Sequence, residues 1–173
     1  MDIKNKAKEQ LNWLEKILLK IPGFKGYYER ELRRDSDRVQ RDYIVKQMRK
    51  VKTGMNGVIQ AASRQKDFDL LRAYDLFARA LDKSIGAIRY ADQGYSGFFD
   101  LVKIKEAELD KVYELDAKIV EAADFLGDGF AKLAAAPLDV SGLEPLRERL
   151  EQIDAMFEQR SALLKGYEKG EGK

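Results

Sequence analysis

The stretch IVKQMRKVKTGMNGVIQAA, residues 44–62, decides the fold. Its apolar residues Ile44, Met48, Val51, Met55, Val58 and Ala62 recur at steps of four and three, which is the seam of a packed α-helix and not the two-residue alternation of a strand. Gly54 and Gly57 lie along this stretch. Each costs about 1 kcal/mol relative to alanine inside a helix, so they mark either a break or a place where another helix comes close. The spacing predicts one continuous helix that starts near Gly26.

On its N-terminal side stands Ile21-Pro22-Gly23-Phe24-Lys25-Gly26-Tyr27-Tyr28, followed by the arginine-dense run from Glu29 to Asp42. Ahead of that turn, Ile3, Ala7, Leu11, Leu14, Leu18 and Ile21 form a first amphipathic pattern, which Pro22 and Gly23 stop. On the C-terminal side, Asp67 is placed to cap a helix whose face is Leu70, Tyr74, Phe77, Leu81, Ile85 and Ile88. Gly94-Tyr95-Ser96-Gly97 is expected to end it. The next seam runs through Phe98, Val102, Leu109, Val112, Ile119, Ala123, Leu126, Phe130 and Leu133, with Lys105 and Asp116 in its missing positions. Buried charges are tolerated only when paired, so these two must meet opposite charges or reach water; partial exposure is the expectation, with the long stem of Lys105 extending outward.

After Pro137, Ser141-Gly142-Leu143-Glu144 has capping-box spacing for a last helix with Leu143, Leu146, Leu150, Ile153, Phe157 and Leu164 inward. That helix should end at Gly166, leaving residues 167–173 as a disordered polar tail. The two longest helices, at roughly 36 residues, would each span about 54 Å. The whole reads as an all-α, elongated antiparallel bundle of about five helices with coiled-coil-like seams. A single domain over residues 1–166 is expected, with Leu70, Tyr74, Phe77, Leu81, Val112, Ile119 and Leu126 in its core. No segment reads as a strand, and no internal repeat is found.

Composition narrows the chemistry. The 173 residues contain no histidine and no cysteine. The histidine-based triad, the helical Glu-x-x-His di-iron site, thiolate chemistry and disulfides are therefore unavailable. A calcium loop tested from Asp92 fails, because Gly94 and Lys103 stand where oxygen ligands are needed. No phosphate-binding glycine loop occurs. No cofactor and no catalytic motif is expected. No apolar run approaches the roughly 20 residues that span a bilayer. The N-terminal residues read as amphipathic and not as a secretory signal, so a cytoplasmic protein is expected.

Charge is uneven. Residues 1–66 hold 17 Lys/Arg against 8 Asp/Glu, and residues 67–173 hold 15 against 22. Arg30, Arg34, Arg38 and Arg41 form a ridge at helical spacing, with Arg33 beside it and Tyr27 and Tyr28 nearby; arginines and aromatics in that arrangement suit phosphates or a protein surface. Glu29 with Arg33 and Asp37 with Arg41 have the acid-first spacing of self-paired helix faces, so a solvated, self-neutralised ridge is the competing reading. Tyr95, Phe98 and Phe99 crowd the Gly94–Gly97 turn and make a second candidate surface, unless they seal the end of a helical hairpin. The first amphipathic segment, with Trp13 at its margin and lysines on its other side, suits either docking on the bundle or a membrane surface.

The residues Ile-Pro-Gly-Phe-Lys-Gly-Tyr with the following Arg/Glu-rich helix (21–41) and Ile-Arg-Tyr-Ala-Asp-Gln-Gly-Tyr-Ser-Gly-Phe-Phe-Asp (88–100) resemble a group of small bacterial all-helical proteins without an assigned activity. That resemblance implies no catalytic residues. The expectation is a non-catalytic interaction or scaffold protein whose partner is another protein, with self-association possible. A peripheral membrane binder or a nucleic-acid binder is the alternative.

Overall fold

The structure is a computed structural model, and it describes residue 15 and residues 17–22, 33–91, 106–135 and 139–169. Among these, the helical residues 15 and 17–20 of the expected first helix precede four α-helices and one short 3-10 turn: α1 Arg33–Gln65, α2 Phe68–Arg89, α3 Glu106–Ala135 and α4 Glu144–Lys169, with the 3-10 turn at Ser141–Leu143. No strand occurs among the described residues. The fold is an all-α bundle. It divides into two compact units, one made of Ile44–Ala91 and Glu121–Ala155, the other of Met1–Tyr43, Asp92–Val120 and Met156–Lys173.

The link between α1 and α2 is two residues long, and local chemistry explains it. Lys66 adopts φ 57, its N–H donates to the Ser63 carbonyl at 3.2 Å, and the Asp67 N–H donates to the Ala62 carbonyl at 3.3 Å. This paired arrangement satisfies the last carbonyls of a helix. Asp67 then caps α2 as the sequence predicts, its side chain accepting from the Leu70 N–H at 3.0 Å. The chain reverses at once, and Lys52 forms an ion pair with Asp82 across α1 and α2.

In the unit holding Ile44–Ala91 and Glu121–Ala155, the expected seam residues are buried: Met48, Met55 and Ala62 of α1, Leu70, Tyr74, Phe77 and Leu81 of α2, Leu126 and Phe130 of α3, and Leu146, Leu150 and Ile153 of α4. Gly54 explains itself here. A β-carbon on it would stand 2.6 Å from Cε1 of Phe130, so α1 and α3 are close because that position has no side chain. Gly57, by contrast, faces open space. Gly129 plays the part of Gly54 towards α4, with Cδ2 of Leu146 lying 2.6 Å from where its β-carbon would be. Half-exposed Phe125 of α3 is covered from α4 by the Arg149 guanidinium, 4.5 Å above its ring.

Several boundaries differ from the sequence reading. α2 stops at Arg89, where the Tyr90 N–H reaches the Gly86 carbonyl, and not at Gly94–Gly97, which lies outside the described residues. Ser141 does not form a capping box. Its hydroxyl donates to Asp139, and Ser141–Leu143 is a 3-10 turn that precedes α4. That hydroxyl bond first, and then backbone N–H bonds from Ser141 and Val140, hold the Asp139 carboxyl below the usual carboxylate range. Gly166 does not end the last helix; α4 continues to Lys169, so residues 167–169 of the expected tail are helical. In the N-terminal segment Ile21 is buried as expected, but Ile17 is the enclosed residue one turn earlier, while the expected Leu18 is only partly buried and Leu19 is 87% exposed.

Tyr74 is fully enclosed, and its hydroxyl finds no hydrogen-bond partner among the described residues. Burial, and secondarily the negative charge of Asp139, pushes the phenol's pKa up. The unfolded chain therefore ionises this tyrosine first, and stability falls as pH rises beyond about 10. Tyr74→Phe should gain about 1 kcal/mol at neutral pH by deleting an unpaired buried hydroxyl, and should unfold less readily in alkali; denaturant titrations at the two pH values check both. For the glycines, Gly57→Ala should stabilise by about 0.5–1 kcal/mol through helix propensity, whereas Gly54→Ala should destabilise by about 1–3 kcal/mol through overpacking against Phe130. Thermal melts of the two variants should move in opposite directions.

Candidate functional site

Extended N-terminally at the same spacing, the α1 seam passes from Ile44 to Arg41 and then Asp37. The α3 seam carries Asp116 three residues before Ile119, and the α4 seam carries Arg160 three residues after Phe157. Three helices thus each place charge on an inward position. In the unit of Met1–Tyr43, Asp92–Val120 and Met156–Lys173 these residues meet. Arg160 donates from Nε to Oδ1 of Asp116 at 2.5 Å and from Nη2 to Oδ1 of Asp37 at 2.6 Å. Oδ2 of Asp37 pairs in turn with Nη2 of Arg41 at 2.9 Å. Asp37, Asp116 and Arg160 are all buried, and Gln40, also buried, hydrogen-bonds Asp116. With two carboxylates and two guanidiniums, the layer is neutral.

The electrostatics show how each charge depends on the others. Burial pushes the Asp116 carboxyl's pKa up, and Asp37 adds to that rise; the Arg160 charge and hydrogen bond and the Gln40 hydrogen bond oppose it. Burial acts to lower the pKa of Arg160, but the carboxylates of Asp116 and Asp37 more than reverse this, so the guanidinium holds its proton more tightly than in water. Such a layer cannot easily lose one member, because removing one partner leaves an uncompensated charge in the interior.

A second, smaller polar contact lies in the other unit. Ser84 of α2 is buried, and its hydroxyl lies 2.8 Å from Oδ2 of Asp154 on α4 and 3.1 Å from its own helix's Ala80 carbonyl. Among the described residues no group of three or more metal-ligating side chains assembles, and no helix is long and apolar enough to cross a membrane.

The sequence-derived candidates fare unevenly. Arg41 and Arg38 are on α1: Arg38 is exposed, while Arg41 is half-buried and bound to Asp37. The Asp37–Arg41 pair forms as its spacing predicts, but it is not the solvated pair expected, since Asp37 lies inside. Arg33 and Arg34 sit in the first turn of α1, with side chains outside the described set; Tyr27, Tyr28, Arg30, Tyr95, Phe98 and Phe99 lie outside the described residues altogether, as does Lys105. Asp116 is not partly exposed, as expected, but buried and paired. Arg160 and Gln40 are absent from the sequence reading, although the seven-residue gap between Phe157 and Leu164 leaves room for one more seam position, which Arg160 fills. Comparison with known protein families, curated proteins and solved structures finds no match to this chain.

Replacing Arg160 with methionine removes the counter-charge of buried Asp116 and one of the two guanidiniums that serve Asp37, and should cost about 3–5 kcal/mol at neutral pH. A carboxyl whose folded pKa is raised binds its proton more readily folded than unfolded, so its contribution to stability is full below the unfolded pKa and is lost as pH rises through the folded one. Without Arg160 that rise is larger. The deficit of Arg160→Met relative to wild type should therefore shrink as pH falls towards about 4, near the reference carboxylate pKa, and denaturant titrations at the two pH values measure it.

Proposed function

We propose that the protein is a non-catalytic helical scaffold that acts by binding another protein. The observation that carries this reading is the use made of the inward charges. Among the described residues, the buried charges Asp37, Asp116 and Arg160 pair with one another and with Arg41, two carboxylates against two guanidiniums. Catalytic groups usually have pKa values poised for proton transfer beside a substrate cleft; here a raised carboxyl is enclosed by its own partners.

Two further observations weigh against the alternatives. Arg41, a member of the arginine ridge, turns towards Asp37, which reduces what the ridge offers to phosphate groups. Ile17 and Ile21 are covered by protein, and a membrane-seated helix would keep that apolar face for lipid. A protein partner then remains the reading of choice for surfaces such as α2, where Phe68 and Leu76 stand exposed, with exposed Tyr90 just past its end.

The test is binding to polyanions. Contacts with duplex DNA would give a log–log salt slope of about 0.9 per neutralised phosphate, and the charge of anionic vesicles would be screened within about 8 Å at physiological salt. We expect negligible binding of wild type in gel-shift and liposome-sedimentation assays at physiological salt, and no change in an Arg34→Glu/Arg38→Glu variant. Salt-sensitive binding by wild type that the variant loses would replace the scaffold reading with a phosphate-binding one. Co-purification from the native host with mass spectrometry should return a protein.

A further inference from the structure

We propose that the Asp37–Arg160–Asp116 layer is a register lock: it fixes which turn of α1 meets which turns of α3 and α4, and it excludes pairings that the apolar seams alone would accept. The argument starts from the seams themselves. Each repeats at steps of three and four, so sliding a helix by seven residues, about 10.5 Å at 1.5 Å per residue, again sets apolar positions against apolar positions. Seven residues along from Asp116 stands Ala123, seven along from Asp37 stands Ile44, and seven before Arg160 stands Ile153. Hydrophobic burial is non-directional and barely separates these arrangements.

The layer separates them sharply. A one-heptad slip would set Arg160 against Ala123 and Ile44, and would leave Asp116 with no counter-charge and Asp37 with only Arg41 of its own helix. Only one alignment pairs all four charges. The fork geometry narrows it further, because Nε and Nη2 of one guanidinium reach carboxylates on two different helices, at 2.5 and 2.6 Å. A point charge on a flexible stem cannot reproduce that. The same reasoning applies between molecules: a second copy pairing its seams with these helices must also match the layer or bury charge unpaired.

A buried ion-pair layer is a weak source of stability relative to well-packed apolar residues, while breaking it is costly. This difference lets an experiment tell a lock from a stabiliser. The full chain would be compared with Arg160→Met, with Asp37→Leu/Asp116→Leu, with Arg160→Lys and with the triple variant Asp37→Leu/Asp116→Leu/Arg160→Met made in an Arg41→Leu background, so that the half-buried guanidinium of α1 is not left without Asp37. The two incomplete removals should each melt roughly 10 °C below wild type. Arg160→Lys should also melt below wild type, since one ammonium cannot serve both carboxylates. The triple variant should melt at or above wild type yet lose uniqueness, seen as more than one set of backbone amide resonances or as a changed or mixed mass by light scattering. A triple variant with the wild-type mass and a single set of amide resonances would show that the seams alone fix the register, and would overturn the proposal. A triple variant that melts well below wild type, or does not fold, would also overturn it, because the layer would then be a stabiliser. Should Arg160→Met fail to fold, Arg160→Lys and the triple variant still decide the question.

Discussion

Arg160 holds two carboxylates that belong to two other helices, and the packing around it is organised by that constraint. A guanidinium buried to 5% exposure can stay in the interior only if its charge and its fork of donors are met. Asp116 and Asp37 meet them, Gln40 supports Asp116, and Arg41 supports Asp37 from one turn along α1. The demand runs both ways, since burial makes Asp116 a reluctant anion that Arg160 sustains. Five helix positions are thus determined together, where a run of leucines would have left each free to adjust.

The unit built from Ile44–Ala91 and Glu121–Ala155 is held differently. Among the described residues its interior is apolar apart from Ser84 and the Tyr74 hydroxyl, and its precision comes from shape: missing side chains at Gly54 and Gly129 admit Phe130 and Leu146. Its helical hairpin is set by backbone chemistry at Lys66 and Asp67, where a left-handed residue and a side-chain cap complete the donors and acceptors of two helix ends. Shape complementarity and charge complementarity are alternative ways of making one arrangement better than its neighbours, and this chain uses one in each unit.

The contrast also explains what could be read in the sequence. The seams of α1, α2, α3 and α4 were legible, because periodicity reports burial directly: Met55, Leu81, Ile119 and Ile153 are all enclosed. The Asp67 cap was legible for the same reason, being local. The ionic layer was not. Asp116 was visible as an interruption, but its partner Arg160 is 44 residues away, and Asp37 is 123 residues from Arg160; periodicity cannot say which charge on one helix meets which on another. Local spacing misled in one place, where Asp37 and Arg41 looked like a surface pair. Ser141 looked like a cap because its spacing to Glu144 fits, yet Asp139, two residues earlier, competes successfully for its hydroxyl.

The layer bears on the uneven charge of the chain as well. Asp37 and Arg41 both belong to the basic first 66 residues, and Asp116 and Arg160 both to the acidic remainder, so the layer is neutral within each part and leaves the excess of 17 over 8 basic and of 22 over 15 acidic residues untouched. Lys52 with Asp82 joins the two parts by one half-exposed pair, the kind of contact that adds little stability. The remaining imbalance is therefore not consumed by the described interior. Charge of this kind contributes little to folding but a good deal to encounter, because complementary fields speed association and select its orientation. For the proposed scaffold, the buried charges would then set how the helices meet one another, and the unburied ones how the protein meets its partner.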